Sequence, residues 1–585
     1  MTSVLGIDVG GTFTDFLLWQ DGRVSVYKRP STPEDPARGV LEGLREMAAQ
    51  PEAPLAARHE LEVAHGSTVA TNAIIERKGA RTALITTHGF RDLLVIGRQT
   101  RPSLYDLSPR RPPPLIPDEL RLEAEERLDS HGQVLQRLDP SQVERLLDEL
   151  QAQGVESLAV CFLFSFLNPE HERLVAEAAR KRNLFVSASY EVLPEHREYE
   201  RTTTTVANAY VGPVVSRYLS RLESQLRKEG IVRLRVMGSS GGSMSPQSAG
   251  RLAVRTALSG PAFYGRGRDP TTTDAHVVLG RITPEHLLGG RMNVYPDLSH
   301  SAIGDLSTPY GGDATATAAA VLRVVNAGME RALRVVSVER GHDPRPFTLV
   351  AFGGAGPLHA CELAASLRMS RVLVPLYPGV LSALGIAAAP IAKDLSAAAL
   401  LTIPADGDGW RDAERTLSRL AARLERQGVK ELRDEGLLRD DVAVQRFLEM
   451  RYVGQSYELA VPAAELTPAS FLPTFHALHQ ERFSHSDSAR TTEVVNLRVR
   501  LTVATSAMEM PRLAPSRGDP LLGDREVWFE GPARAAVYDR LRLSPGDRLV
   551  GPAIVVQMDA TTAIPPGWSG AVDAWGNLVL EQTDG

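Results

Sequence analysis

Cysteine is nearly absent: Cys161 and Cys361 are the only two in 585 residues, and each sits inside an apolar stretch. Two are too few for a cysteine zinc site, and both read as reduced core thiols, which predicts cytoplasmic residence. Long apolar runs are missing as well. None reaches the roughly 18 to 20 residues of a spanning helix, and the chain enters a strand almost at once rather than a leader, so neither membrane anchoring nor a signal peptide is expected. Basic runs and aromatic-interleaved Lys/Arg stripes are also lacking, and the net charge is −6, which argues against a nucleic-acid partner. What is present is ordinary for a globular protein: 43% hydrophobic and 23% charged residues. At this length the chain should divide into about three or four domains.

The stretch L-G-I-D-V-G-G-T-F-T-D at 5 to 15 organises the rest. Val4, Leu5, Ile7 and Val9 form a short apolar strand, Gly10-Gly11 turns it, and Thr12 to Trp19 returns as a second strand ending at Asp21-Gly22. Adjacent glycines let backbone N–H groups approach a polyphosphate. The hydroxyls of Thr12 and Thr14 add uncharged donors, and Asp8 and Asp15 can hold the accompanying hydrated magnesium. A tight hairpin with merely solvated carboxylates would carry the same Gly-Gly turn, but not the flanking aspartates and threonines together.

Further along, His65-Gly66-Ser67-Thr68 leads from a strand into a helix carrying Asn72. Such a helix start suits an anion, and it equally suits simple N-capping by Ser67 or Thr68. Residues 101 to 117 are rich in proline and arginine and read as a polyproline-like surface loop. Asp139-Pro140 opens a helix with Val143, Leu146, Leu147 and Leu150 inward and Gly154 as its stop, followed by a buried strand from Ser157 to Phe164. Helices are expected over 194–210 and 213–228, then a strand from Val232 to Met237. The G-S-S-G-G that follows at 238 to 242 matches the G-x-S-x-G elbow of serine hydrolases in form only. Met244-Ser245-Pro246 interrupts the helix an elbow needs, so Ser240 is not expected to be a nucleophile. A long helix from Asp313 to Arg340 should bury Val321, Leu322, Val325, Met329, Ala332, Leu333 and Val336. A buried strand, Phe347 to Phe352, then runs into Gly353-Gly354-Ala355-Gly356 and a new helix, an arrangement that serves nucleotides or close packing.

The hairpin resembles the first phosphate motif of the actin, sugar-kinase and heat-shock-chaperone ATPases. More narrowly, it resembles that of the hydantoinase A/5-oxoprolinase family, which includes N-methylhydantoinase A and the acetone and acetophenone carboxylase subunits. Four later stretches resemble the same family in the same order: H-G-S-T-V-A-T-N-A at 65 to 73, E-R-T-T-T-T-V-A-N-A-Y-V at 200 to 211, R-V-V-S-V-E-R-G-H-D-P at 334 to 344, and A-F-G-G-A-G-P-L-H-A at 351 to 360. The resemblance implies an α/β fold of two ribonuclease-H-like lobes (1–195 and 196–395) and a β-rich α+β C-terminal module (396–585). It implies ATP and Mg2+ as cofactors, with Asp8 and Asp15 as catalytic carboxylates and Asp8 as the metal ligand. Gly10, Gly11, Thr12, Thr14, Gly353, Gly354 and Gly356 would contact the nucleotide, and His65, Ser67, Thr68 and Asn72 would border the substrate.

The activity implied is ATP-dependent hydrolysis of a cyclic amide such as 5-oxoproline, hydantoin or N-methylhydantoin, beside a hydantoinase B-like subunit or within a homo-oligomer. Ketone carboxylation is the related alternative. From Ala253 to Asp274 the sequence departs from its relatives. A single Gly260-Pro261-Ala262 stands where they carry two such segments separated by a second phosphate hairpin, D-M-G-G-T-S-T-D, so the second lobe is expected to be shortened there. A shortened lobe should present an uncovered sheet edge or apolar face, and it raises a further alternative, a catalytically silent subunit.

Overall fold

The computed structural model describes residues 3–50, 58–100, 113–257, 270–292, 294–307, 312–439, 441–505, 508–516 and 518–583. The Gly260-Pro261-Ala262 junction, Gly311 and the part of the proline-rich loop up to residue 112 lie outside them. The class is mixed α/β, as expected. The chain forms two compact units, each assembled from separated stretches: residues 1–65, 262–388 and 508–585 in the first, 66–261 and 389–507 in the second. Neither coincides with one of the three consecutive segments the sequence suggests, because sheet partners come from distant parts of the chain. In the first unit, for example, Arg371–Val374 pairs with 578–581.

The first unit is built around β1 (Ser3–Val9), β2 (Phe13–Gln20) and β3 (Arg23–Pro30), each antiparallel to the next. The β1–β2 hairpin falls where the apolar alternation puts it, with Leu5, Ile7, Phe16, Leu17 and Leu18 buried. Sequence reasoning passed over β3, because its Arg, Ser and Lys content hides the period-two pattern. The helix Pro36–Ala48 lies after it, capped by Asp35 with Pro36 in the first turn. A second sheet runs Thr348–Val350, Arg371–Val374, Leu578–Gln582, Trp568–Val572, Arg548–Val550. A third runs Leu521–Trp528, Pro532–Asp539, Ala553–Val556, Thr561–Ile564.

Two expectations in this unit are corrected. The helix spans Ala314–Val336 and buries only Ala318 and Leu322. Val321, Val325, Met329 and Leu333 are half-buried, and Ala332 and Val336 are exposed. The strand Thr348–Val350 is also not a buried one: it ends its sheet, and Phe347, Val350 and Phe352 are exposed at 55%, 45% and 57%. Both elements carry the apolar pattern of interior segments, yet among the described residues nothing covers these faces.

The second unit holds a fully parallel four-stranded sheet, Phe185–Ala188, Ser157–Cys161, Thr82–Thr87 and Arg121–Ala124, with every residue of the two middle strands buried. The helix Pro140–Ala152 is capped by Asp139 as read from the sequence. The two helices expected around Pro213 are one, Glu198–Lys228. Its polar-looking start is internal, since Arg201, Thr202, Thr205 and Asn208 are buried and the Thr205 hydroxyl donates to the Arg201 carbonyl at 2.7 Å. The remaining sheet of this unit places Ile391–Ile403 and Val442–Tyr452 on either side of Thr492–Val503. Among the described residues, no helix is long and apolar enough to cross a membrane.

Candidate functional site

Antiparallel register sets Asp8 directly opposite Asp15. Two carboxylates on one buried ribbon repel each other, and the structure answers with a cation from β3: Lys28 Nζ donates to Asp15 Oδ1 at 2.6 Å and is itself only 7% exposed. The same ammonium donates to the Gly379 carbonyl at 3.2 Å. Burial, reinforced by Asp15, pushes the Asp8 carboxyl up to about 6, with Lys28 and the Ser382 hydroxyl pulling the other way. Asp15 is raised by burial too, although Lys28 opposes it.

At the turn, Gly10 N–H donates to the Phe13 carbonyl at 3.0 Å, and the Ser31 hydroxyl donates to the Gly10 carbonyl at 2.8 Å. The two threonines differ. Thr12 Oγ1 is buried without a hydrogen-bond partner, an orphaned donor of the kind a phosphate oxygen would satisfy. Thr14 Oγ1 is bonded to Ser31 Oγ at 3.0 Å and is buried, so it braces the turn from within.

The glycine-rich turn after Thr348–Val350 reaches this site through Pro378-Gly379. Gly353 N–H donates to the Pro378 carbonyl at 2.7 Å, so that group is already taken. Gly354 is exposed, and Gly356 begins the helix Gly356–Ser366. Beyond Gly379 the chain becomes the helix Leu381–Ala388, which lies hard against β1: a Cβ on Gly6 would come within 2.0 Å of the Ala383 carbonyl oxygen. On the far side, Asp559 Oδ2 accepts from Gly379 N–H at 2.8 Å.

The substrate-side residues are placed differently. His65 belongs to the first unit, fully buried, and burial pulls its ring down to about 4 despite a bond to the Ile7 backbone. Burial therefore holds the ring in its neutral form inside this unit. Ser67, Thr68 and Asn72 belong to the second unit. There Val69 N–H donates to Ser67 Oγ at 3.2 Å and Asn72 Nδ2 to Thr68 Oγ1 at 3.3 Å; of the two capping candidates only Ser67 accepts a first-turn N–H, and Thr68 makes no side-chain cap bond. The turn at 238–242 leads into a two-residue strand, Ser243–Met244, and Ser240 Oγ donates to Asp394 Oδ2 at 3.1 Å, with no hydrogen bond to a histidine among the described residues.

Lys28, Gly379, Ser382 and Asp559 were not singled out in the sequence. Nothing local marks Lys28 or Asp559. Among the described residues no group of three or more His, Cys, Asp or Glu is placed to hold a metal ion. The site still fits magnesium, which commonly takes one or two protein carboxylates and completes its shell with water and phosphate.

Comparison with known proteins assigns the ancestry. Residues 4–183 match the hydantoinase/oxoprolinase N-terminal region, 201–263 and 260–395 match the hydantoinase/oxoprolinase domain in two pieces, and 405–583 match the hydantoinase/oxoprolinase C-terminal domain. The caprolactamase subunit alpha of Pseudomonas jessenii is 28% identical over 694 aligned positions, covering 97% of each chain. The acetophenone carboxylase gamma subunit of Aromatoleum aromaticum is 29% identical over 99% of this chain and 96% of its own. The crystal structure of the ATP-dependent caprolactamase from Pseudomonas jessenii superposes with a TM-score of 0.82 at 27% identity, covering 99% of this chain and 100% of that one. Matched along its length by the family's three regions and by a solved relative, the chain belongs to the hydantoinase/oxoprolinase family.

Proposed function

We propose that this chain is the Mg2+-ATP-binding subunit of an enzyme that hydrolyses a cyclic amide. The observation that carries the reading is the hairpin itself: opposed Asp8 and Asp15, a buried lysine on one of them, and an unpartnered threonine hydroxyl at the turn. An unstrained lactam resists water because its amide is resonance-stabilised. Transfer of the γ-phosphoryl group to the amide oxygen leaves an imidate carbon that water attacks, with phosphate departing and the ring opening to a carboxylate and an amine. Asp8 is the group for magnesium, which offsets the charge of the transferred phosphoryl. Gly11 and Thr12 offer donors to phosphate oxygens, and Lys28 keeps Asp15 from competing for the cation. The likeness to the caprolactamase, in sequence and in fold over the whole chain, supports an amide substrate, and the comparable likeness to the carboxylase subunit keeps a ketone as the related alternative. That both relatives are named as subunits supports a second polypeptide, of the hydantoinase B-like kind.

A second reading concerns turnover, and particular observations favour it. The central match breaks into two pieces overlapping at 260–263, and the 694 aligned positions of the caprolactamase exceed this chain's 585 residues by more than a hundred. In the same unit the strand Thr348–Val350 ends its sheet with exposed apolar neighbours. These support the absence of the second phosphate hairpin, and with it one side of the grip on the nucleotide. Losing one preorganised donor commonly costs about 100- to 1,000-fold in rate.

The chain alone is therefore expected to bind Mg2+-ATP by calorimetry and to release phosphate with 5-oxoproline, hydantoin, N-methylhydantoin or caprolactam far more slowly than about 1 per second, an ordinary enzyme rate. Absence of binding overturns the nucleotide assignment. Turnover near that ordinary rate that disappears in Asp8→Asn overturns the missing grip.

A further inference from the structure

We infer that Asp559, more than 500 residues from the hairpin in sequence, is a positioning residue of the phosphate site, acting on Asp15 through the Gly379 peptide and Lys28. The inference rests on the nucleotide reading of the hairpin. Its geometry is continuous: Asp559 Oδ2 accepts from Gly379 N–H at 2.8 Å, the Gly379 carbonyl accepts from Lys28 Nζ at 3.2 Å, and Lys28 Nζ donates to Asp15 Oδ1 at 2.6 Å. One peptide is thus clipped from both sides.

Three further observations show that the clip is built. Gln557 Nε2 donates to Asp559 Oδ1 at 2.6 Å and to the Leu376 carbonyl at 3.1 Å, which orients the carboxylate. Residue 379 admits only glycine, since a Cβ there would lie 2.0 Å from the Asp559 carbonyl oxygen. The segment it anchors is the floor of the hairpin: Leu17 packs on Val380 and Ala383, and Ser382 bonds Asp8. Asp559 is buried, and its bonded route to Asp15 runs through Gly379 and Lys28. Without it the Gly379 N–H would be buried and unpaired, and the peptide would be free to turn away from Lys28. A released Lys28 no longer fixes Asp15, and the hairpin loses the cation that holds its two carboxylates in register.

A merely structural Asp559 would cap the Gly379 turn and leave Lys28 where it is. The test therefore reads Lys28 directly. In the full-length chain, acetylation of Lys28 by an N-hydroxysuccinimide ester, followed by peptide mass spectrometry, should be about fivefold or more faster in Asp559→Asn than in the parent, as expected of an amine leaving burial for solvent. Mg2+-ATP titrated into the parent, Asp559→Asn, Lys28→Met and the double variant should show each single change weakening binding about tenfold, with the double variant no weaker than the worse single, as groups acting through one link behave. The Asn variant is isosteric and removes a buried charge, so it should stay folded; Gln557→Leu, which frees the carboxylate without deleting it, should shift Lys28 labelling in the same direction. Unchanged Lys28 labelling in both Asp559→Asn and Gln557→Leu overturns the inference whether or not nucleotide binds. If the parent binds Mg2+-ATP and the two single effects multiply, it is overturned as well. A parent that binds no nucleotide while Lys28 labelling rises would sink the nucleotide reading and leave the mechanical link standing.

Discussion

Replacing Asp8 by asparagine should stabilise the ligand-free protein at neutral pH while abolishing its use of magnesium. The carboxyl of Asp8 is raised from an ordinary 3.8 to about 6, chiefly by burial and then by Asp15. Its folded value therefore lies above its unfolded one. The protonated form is the one the fold prefers, and the stability it contributes is present below about pH 4 and lost as pH rises through about 6. Near pH 7.5 the charge is fully developed, and a gap of about 2 units corresponds to a cost on the order of 3 kcal/mol at about 1.36 kcal/mol per unit. Asparagine removes that cost and gives up the full carboxylate bond to Ser382, worth about 1 kcal/mol. The net gain of about 2 kcal/mol should raise the thermal midpoint by roughly 4–8 °C for a unit of this size. Scanning calorimetry without magnesium or nucleotide, at steps from about pH 7.5 down to about pH 4, should show the difference shrink as the parent's Asp8 takes up its proton. Calorimetric titration near pH 7.5 should show Mg2+-ATP affinity falling in the variant. A variant less stable than the parent at neutral pH, or a difference that does not change with pH, would refute the assignment of a buried, uncompensated carboxylate.

Other expectations follow from particular contacts. Ser240 should resist a fluorophosphonate probe, because its hydroxyl bonds Asp394 and makes no hydrogen bond to a histidine among the described residues; intact-mass labelling at Ser240 would contradict this. Gly6→Ala should destabilise by several kcal/mol, since the new methyl meets the Ala383 carbonyl at 2.0 Å, and an unchanged denaturant midpoint would show that β1 and the helix Leu381–Ala388 are not in that contact. The exposed edge at Thr348–Val350, with Phe347 and Phe352 beside it, should make the isolated chain associate as concentration rises, and Val350→Lys should suppress this in light scattering. A concentration-independent monomer for the parent would count against it.

The parts of the structure that were legible in the sequence are those fixed by local rules. Asp139-Pro140 starts a helix because a carboxylate can accept a first-turn N–H and proline needs none, and Gly10-Gly11 turns a strand because apolar residues alternate on both sides. Where local and global demands diverge, the reading failed. The start of Glu198–Lys228 looks like a solvated face, yet Arg201 is buried with its guanidinium on the Phe162 and Glu195 carbonyls, a satisfaction no spacing announces. Thr14 sits beside the Gly10-Gly11 turn, and its hydroxyl bonds Ser31, just past the end of a strand the sequence did not reveal. Lys28 was illegible because its strand shows no clear alternation in the sequence, and Asp559 because its partner Gly379 lies 180 residues away.

The long helix and the strand after it fail in a more instructive way. Val321 to Val336 and Phe347 to Phe352 carry an interior pattern, yet Val324 is 73% exposed and Phe352 57%. An apolar face of that kind is normally retained because something covers it. The family match breaks at 260–263, and more than a hundred aligned positions have no residue here. Among the described residues nothing covers those faces of the helix and strand, whereas the β1–β2 hairpin has its partners at 28, 379 and 559 in place. On this view nucleotide affinity should depend on Asp8, Lys28 and Asp559, and catalytic turnover on whatever is brought to the open edge.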